Sequence, residues 1–309
     1  MTTYRVAGRR SGGPGVLELT LVPDDGAQPA PYVPGSHLPV RAGGVVNAYS
    51  LLDDGCRPSA YRIGVRRGCP GGGSAWLHDN ARTGTTLVAG PPRSAFAPVL
   101  SARSHLLLGA GIGVTPLLSH LRAARRWGRQ VELVVGSGAG RDVFASELDD
   151  LAPPRTTRVV GRAALRAAVR EALSRQPIGT HAYACGPDGF AAEVRSAAAD
   201  LAWPAGRLHI EHFDAPQLDA GDPFTAELGD TGRELHVPAG TSLLHALDAA
   251  GVRLDRMCER GVCGRCEVGV RSGDIRHRDL VLGPADRARG DVMLACVSRG
   301  STTLRLEVP

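Results

Sequence analysis

Lysine is absent from this 309-residue chain; all 36 basic residues are arginine. That bias reflects genome composition and indicates no nucleic-acid role, since no basic run with interleaved aromatics accompanies it. Aromatic residues make up only 4% of the chain. No stretch approaches the roughly 18 apolar residues that span a bilayer, so no membrane partner is expected. The opening Met1-Thr-Thr-Tyr-Arg5 lacks the apolar segment of a signal peptide. With seven cysteines, a reducing cytoplasmic compartment is the expectation. A second C-x2-C pair, which an ordinary zinc site would use, is also missing.

Glycine and proline, by contrast, are plentiful at 40 and 22 residues, which favours many turns and short strands over a helical bundle. The length suits two or three domains of about 100 residues each. The net charge of +5 is unevenly placed. From Phe224 to Pro309 twelve arginines face twelve carboxylates, so the excess lies wholly in the first 223 residues.

Four cysteines dominate the C-terminal third. Cys258, Cys263 and Cys266 read C-x4-C-x2-C, and Cys296 follows thirty residues after Cys266. This is the plant-type ferredoxin spacing for a 2Fe–2S cluster. Three thiolates on one tight loop grip one side of the cluster and a distant fourth closes the other. Gly261 and Gly264 let the backbone curl where a side chain would collide. Zinc and inert cysteines are the competing readings of the spacing.

Three segments are expected. Residues 1–100 carry short strands with turn signals, including Val16 to Val22, Val33 to Val40, Asn47 to Leu52 and Tyr61 to Val65, which suggests a small antiparallel β-barrel. Residues 101–214 alternate strands (His105 to Gly109, Val131 to Val135, Thr157 to Val160, His181 to Cys185) with helices (Leu117 to Arg126, Val143 to Leu151, Ala163 to Ser174), the pattern of an α/β parallel sheet. A breaker-rich stretch marks a linker at 215–223. Residues 224–309 begin with a hairpin around Asp230-Thr-Gly232, and Thr241 or Ser242 caps a helix with Leu243, Leu244, Leu247 and Ala250 on its apolar face.

Several short motifs carry chemistry. Tyr49-Ser50-Leu51 suits a flavin, with a ring to stack and a hydroxyl to tune its redox chemistry, though a plain strand reads equally well. Gly71-Gly72-Gly73-Ser74 precedes a short helix. It is either a phosphate cradle with Ser74 as N-cap or a flexible capped loop. Gly109-Ala-Gly111-Ile-Gly113-Val-Thr115-Pro116 follows a strand and opens a helix. It is not the G-x-G-x-x-G fingerprint, yet its glycines would let a pyrophosphate approach the helix N-terminus. Cys185-Gly186-Pro187 ends the last strand of the segment. Alone, Cys185 reads as a core thiol; beside the glycine turn it favours a nicotinamide-side role.

In this order the motifs, with Cys296-Val-Ser-Arg299, resemble the family of phthalate dioxygenase reductase and the vanillate demethylase reductase subunit, over essentially the whole chain. The resemblance implies three domains. They are an FMN-binding barrel, an NADH domain of ferredoxin-reductase type and an α+β β-grasp ferredoxin carrying the 2Fe–2S cluster. It implies Asn47, Tyr49, Ser50, Leu51, Gly72, Gly73 and Ser74 around the flavin. It places Gly109, Gly111, Thr115, Cys185, Gly186 and Pro187 around the nicotinamide cofactor, with Cys185 near nicotinamide C4. Ser50 and Cys185 flank the chemistry. The expected partner is a terminal oxygenase, Rieske-type first and haem-thiolate second. A non-catalytic redox module is the alternative from another class.

Two positions depart from the family pattern. Asn47 and Gly71 stand where arginines normally meet the flavin phosphate. Arg66, Arg67 or the backbone cradle must take over, and weaker FMN binding is expected. NADH over NADPH rests on family habit, with Arg141 the residue that could reach a 2′-phosphate.

Overall fold

The computed structural model describes every residue except 95, 214–217, 230, 231, 257, 258, 260, 262, 263 and 309, and the side chain of residue 284. The chain divides into two compact units, Met1–Phe213 and Asp214–Pro309.

The first unit opens with β1 (Thr2–Gly13), β2 (Val16–Pro23), β3 (His37–Ala42), β4 (Val45–Ser50), β5 (Tyr61–Arg66), α1 (Gly73–Asn80) and β6 (Thr86–Ala89). The strands form an antiparallel sheet in the order β4-β3-β6-β1-β2-β5, and a bridge between Leu51 and Ile63 closes it into a barrel. Alternation drives the closure. Leu17, Leu19 and Leu21 of β2 and Tyr61, Ile63 and Val65 of β5 all belong to one buried cluster. β1 and β6 were not expected from the sequence. Only Tyr4, Val6 and Gly12 of β1 are buried, which leaves too little apolar contrast to mark a strand.

Next come β7 (Ser104–Ala110), α2 (Val114–Trp127), β8 (Val131–Ser137), α3 (Ala145–Leu151), β9 (Arg155–Val160), α4 (Arg162–Ser174), β10 (Thr180–Gly186), α5 (Asp188–Asp200) and β11 (Leu208–His212). The five strands are parallel, in the order β11-β10-β7-β8-β9. Successive residues of β7 serve opposite faces. Leu107 packs with α2 and α3, whereas Leu106 and Leu108 pack with α4 and α5. Each fully buried leucine contributes about 1.5–3 kcal/mol. Helix α2 presents Leu117, Leu118 and Leu121 to the sheet and ends at Gly128, whose φ of 62° suits the left-handed cap. The order reverses beside β7: β8 and β9 lie on one side, β10 and β11 on the other. The carboxyl ends of β7 and β10 therefore flank the switch point where open α/β sheets bind ligands.

The second unit holds β12 (Phe224–Leu228), β13 (Arg233–Val237), α6 (Leu243–Ala249), β14 (Glu267–Ser272), β15 (Ile275–Arg276), α7 (Pro284–Arg289), β16 (Val292–Leu294), β17 (Arg299–Gly300) and β18 (Leu304–Glu307). Its mixed sheet runs β13-β12-β18-β14-β16, with β12 and β18 parallel. Leu243, Leu244 and Leu247 of α6 pack on this sheet. The expected serine cap is present: Ser242 Oγ accepts from the His245 N–H at 3.2 Å. Among the described residues, no helix is long and apolar enough to cross a membrane.

Candidate functional site

The β3–β4 hairpin pairs His37 with Ser50 and Leu38 with Tyr49. Tyr49 and Ser50 are both buried. Ser50 Oγ and His37 Nε2 have no hydrogen-bond partner among the described residues. Leaving such a group unsatisfied costs about 1–3 kcal/mol, so the pair fits a site completed by a bound group. Burial, with Arg93 nearby, lowers the His37 pKa to about 4, and the ring is neutral at pH 7.

The glycine loop lies against the same hairpin. A Cβ on Gly73 would meet Asn47 Nδ2 at 2.7 Å and Val45 at 2.9 Å, so this loop lies against β4 at Asn47 only because residue 73 is glycine. Ser74 is not the N-cap. Gly72, extended at φ −82° and ψ 161°, holds that position, and Ser74 Oγ instead accepts from the Gly68 N–H at 3.1 Å. The hydroxyl thus closes loop 68–74, and the first backbone N–H groups of a helix, which lack intrahelical partners, are groups that suit an anion. Arg67 does not turn to this loop: its guanidinium holds the Asp79 carboxylate at 2.8 and 3.2 Å.

At the switch point a short 3₁₀ turn, Gly111–Gly113, joins β7 to α2. Gly111 has φ 55° and open space where a Cβ would stand. Gly113 abuts the Cys185 carbonyl, and an added Cβ would also come within 2.7 Å of the Gly186 nitrogen. The two expected nucleotide motifs therefore touch. Thr115 Oγ1 donates to the Ile112 carbonyl at 2.9 Å, stiffening the turn. Beside it a cavity of about 150 Å³ opens between Gly111, Ser137, Asp142 and Arg158 at the carboxyl ends of β7, β8 and β9. Ser137 donates to Asp142 at 2.6 Å, and Arg158 is paired with Asp149. Arg141 is exposed and does not line the cavity.

Cys185 is fully buried, and its Sγ lies 3.9 Å from Glu211 Oε2 as donor. Burial pushes the Glu211 carboxyl up to about 8, only partly offset by that thiol. Sequence reasoning missed Glu211. The signal is the register itself, which pairs Cys185 with Glu211 across β10 and β11.

In the second unit, Cys266 precedes β14 and Cys296 follows β16, and the Ala295 N–H donates to the Cys266 carbonyl at 2.9 Å. Strand pairing thus brings two of the four expected ligands together, both buried. Cys258 and Cys263 lie outside the described residues. Between them in sequence, Gly261 has φ 71°, and a Cβ there would strike Val297 at 2.6 Å. Its carbonyl accepts from the Leu280 N–H at 2.9 Å. The neighbouring Asp279 carboxylate is buried and accepts from the Val281 and Leu282 N–H groups and from Ser298 Oγ. Arg299 donates to the carbonyls of Asp222, Thr241 and Pro238. Thus the Cys-Val-Ser-Arg motif fastens the chain at Cys296, the expected fourth ligand, to the rest of the unit. Buried thiols beside a glycine-lined loop are the donor set a 2Fe–2S cluster takes.

Residues 226–300 match the model of the 2Fe-2S iron-sulfur cluster binding domain, and residues 85–208 match that of the dimethylamine monooxygenase subunit DmmA-like N-terminal domain. The chain is 37% identical to the haem-dependent oxidative N-demethylase beta subunit of Ectopseudomonas mendocina, covering 86% of this chain and 85% of that one. It is 33% identical to the vanillate O-demethylase oxidoreductase of a Pseudomonas strain, covering 93% of each. The solved phthalate dioxygenase reductase matches at a TM-score of 0.72 and 29% identity, over 99% of this chain and 97% of that one. The chain belongs to the phthalate dioxygenase reductase family. A self-sufficient cytochrome P450 monooxygenase also matches, with a TM-score of 0.87 at 30% identity, over 99% of this chain and 41% of that longer one.

As a member of this reductase family, the protein is an NAD(P)H-dependent oxidoreductase that passes electrons to a partner oxygenase. Its cofactors are FMN, NADH and a 2Fe–2S cluster. The barrel, the parallel-sheet lobe and the β-grasp unit are the family's architecture.

Proposed function

We propose that residues 1–100 form the FMN-binding barrel, 101–214 the NAD-binding domain and 224–309 the 2Fe–2S domain, with 215–223 as linker. In this reading the chain draws two electrons from NADH and delivers them singly to a Rieske-type aromatic oxygenase. Asn47, Tyr49, Ser50, Leu51, Gly72, Gly73 and Ser74 hold FMN. Gly109, Gly111, Thr115, Cys185, Gly186 and Pro187 receive the dinucleotide, and Cys258, Cys263, Cys266 and Cys296 ligate iron. The flavin supplies the conversion from a two-electron donor to a one-electron acceptor. This chain's residues orient the reactants. The buried, unpartnered Ser50 hydroxyl carries the reading, because it offers one donor where a flavin edge would complete it. NADH is favoured over NADPH because Asp142, on the cavity wall, opposes a further phosphate charge, and Arg158 is engaged by Asp149.

A second acceptor, a haem-dependent oxygenase, is favoured by the N-demethylase relative and by the fused P450. Reconstitution with the oxygenase encoded beside this chain separates the two. Product formation by an oxygenase with a Rieske absorbance supports the proposal. Turnover only with a haem protein replaces it with the second reading.

A further inference from the structure

Helix α2 begins at the nucleotide turn, and one of its faces grips the flavin hairpin. Four residues after Thr115, Ser119 is fully buried. Its Oγ accepts from the Gly35 N–H at 3.2 Å and donates to the Asp53 carbonyl at 2.6 Å. Gly35 lies two residues before β3 and Asp53 three after Ser50, so one hydroxyl closes both ends of the hairpin bearing Tyr49 and Ser50. Arg122, a turn further, donates from Nη1 to the Leu52 carbonyl at 2.6 Å, and its Nε stands 3.4 Å from the Asp53 carboxylate. Its other arm pairs with Glu147 of α3. Arg126 continues the row, 2.5 Å from the Asp54 carboxylate. The spacing 115, 119, 122, 126 follows one helix face.

The approach at Gly35 is tight enough to require glycine. Gly35 has φ +75°, and a Cβ there would meet His120 Nε2 at 2.7 Å. Other bonds already hold the two lobes together. Arg62, anchored in its own lobe by Glu18 at 2.8 Å and Asp53 at 2.9 Å, reaches across to Glu147 of α3 at 2.5 Å, and Arg10 of β1 pairs with the same carboxylate. Losing the Ser119 bonds therefore loosens the hairpin's register without separating the lobes.

We propose that Ser119 and Arg122 are positioning residues for the NADH-to-flavin step: they fix the flavin hairpin against the same helix whose N-terminus presents the nucleotide. The proposal rests on the cofactor placement given above. Transfer between bound reactants demands near-contact geometry, and a misplacement of about 1 Å costs on the order of 100-fold in rate.

The test uses the full chain with its cofactors, comparing wild type with Ser119→Ala and Arg122→Gln. FMN content, melting temperature, anaerobic flavin bleaching by NADH, and the long-wavelength charge-transfer absorbance on mixing are measured for each. Amide exchange across residues 50–54 reports the hairpin directly. The expected result is flavin bleaching slowed about tenfold, a fractional loss from a sub-ångström shift. It comes with a weakened charge-transfer band, faster exchange at 50–54, full FMN content and a larger change in kcat than in KM. Electron delivery to cytochrome c after dithionite reduction stays at the wild-type rate. Wild-type bleaching and an intact band in both variants would overturn the proposal. So would a slowing that merely tracks lost FMN or a lowered melting temperature. A wild-type chain whose flavin NADH does not bleach overturns the cofactor reading itself, a separate outcome.

Discussion

Surroundings make ordinary side chains informative at buried Ser50 and half-buried Glu211. Ser50 was legible in the sequence because it sits inside a recognisable tripeptide. What the sequence withheld is that nothing among the described residues satisfies its hydroxyl. Glu211 was not legible at all, since one glutamate in a five-residue strand has no pattern to betray it. Only the pairing of β10 with β11 sets it beside Cys185. Its carboxyl moves from 4.5 to about 8 through burial, so the folded chain favours its neutral form. That contribution to stability is complete below pH 4.5 and is lost as pH rises to about 8. Denaturant unfolding across this window should show the wild type losing stability with rising pH more steeply than Glu211→Gln. Parallel slopes for the two proteins would contradict the assignment.

At the scale of elements, helix α1 and strand β4 together form the phosphate end of the proposed flavin site. The glycine loop packs on β4 there, but neither Asn47 nor Gly71 brings charge, and Arg67 is spent on Asp79. Asn47→Arg would put a guanidinium where Nδ2 now adjoins Gly73. Titration of apo-protein should then show FMN binding about tenfold tighter, the equivalent of one charge-assisted hydrogen bond. Sub-nanomolar affinity in the wild type, or no gain in the variant, would sink the weak-anchor account. The main elements of the parallel-sheet lobe were readable from leucine spacing. Helix α5 was not, because its buried face is largely alanine, with Phe190 and Val194 its only large apolar residues, and gives little contrast. Ser74 looked like a cap by residue type. The glycines before it let the helix begin two residues earlier, with Gly72 as cap, and its hydroxyl went to the loop instead.

Across the whole molecule, each motif alone is modest, and their order along the chain was what made the family legible. The nucleotide lobe shows why. Residues 109–116 and 185–187 are seventy residues apart in sequence, and the switch point of the sheet brings Gly113 against Cys185. The cluster unit follows the same logic, with β14 and β16 delivering Cys266 and Cys296 together. Its net charge is balanced, twelve arginines against twelve carboxylates from Phe224 on, so the net charge of this unit gives no strong steering signal toward an oxygenase. The central claim is a relay from NADH through flavin to the cluster. Anaerobic rapid mixing with NADH, followed at flavin and cluster wavelengths, tests it most directly. The account predicts that flavin absorbance falls first and cluster absorbance follows. Cluster bleaching without a preceding flavin change, or no bleaching of either, would contradict it.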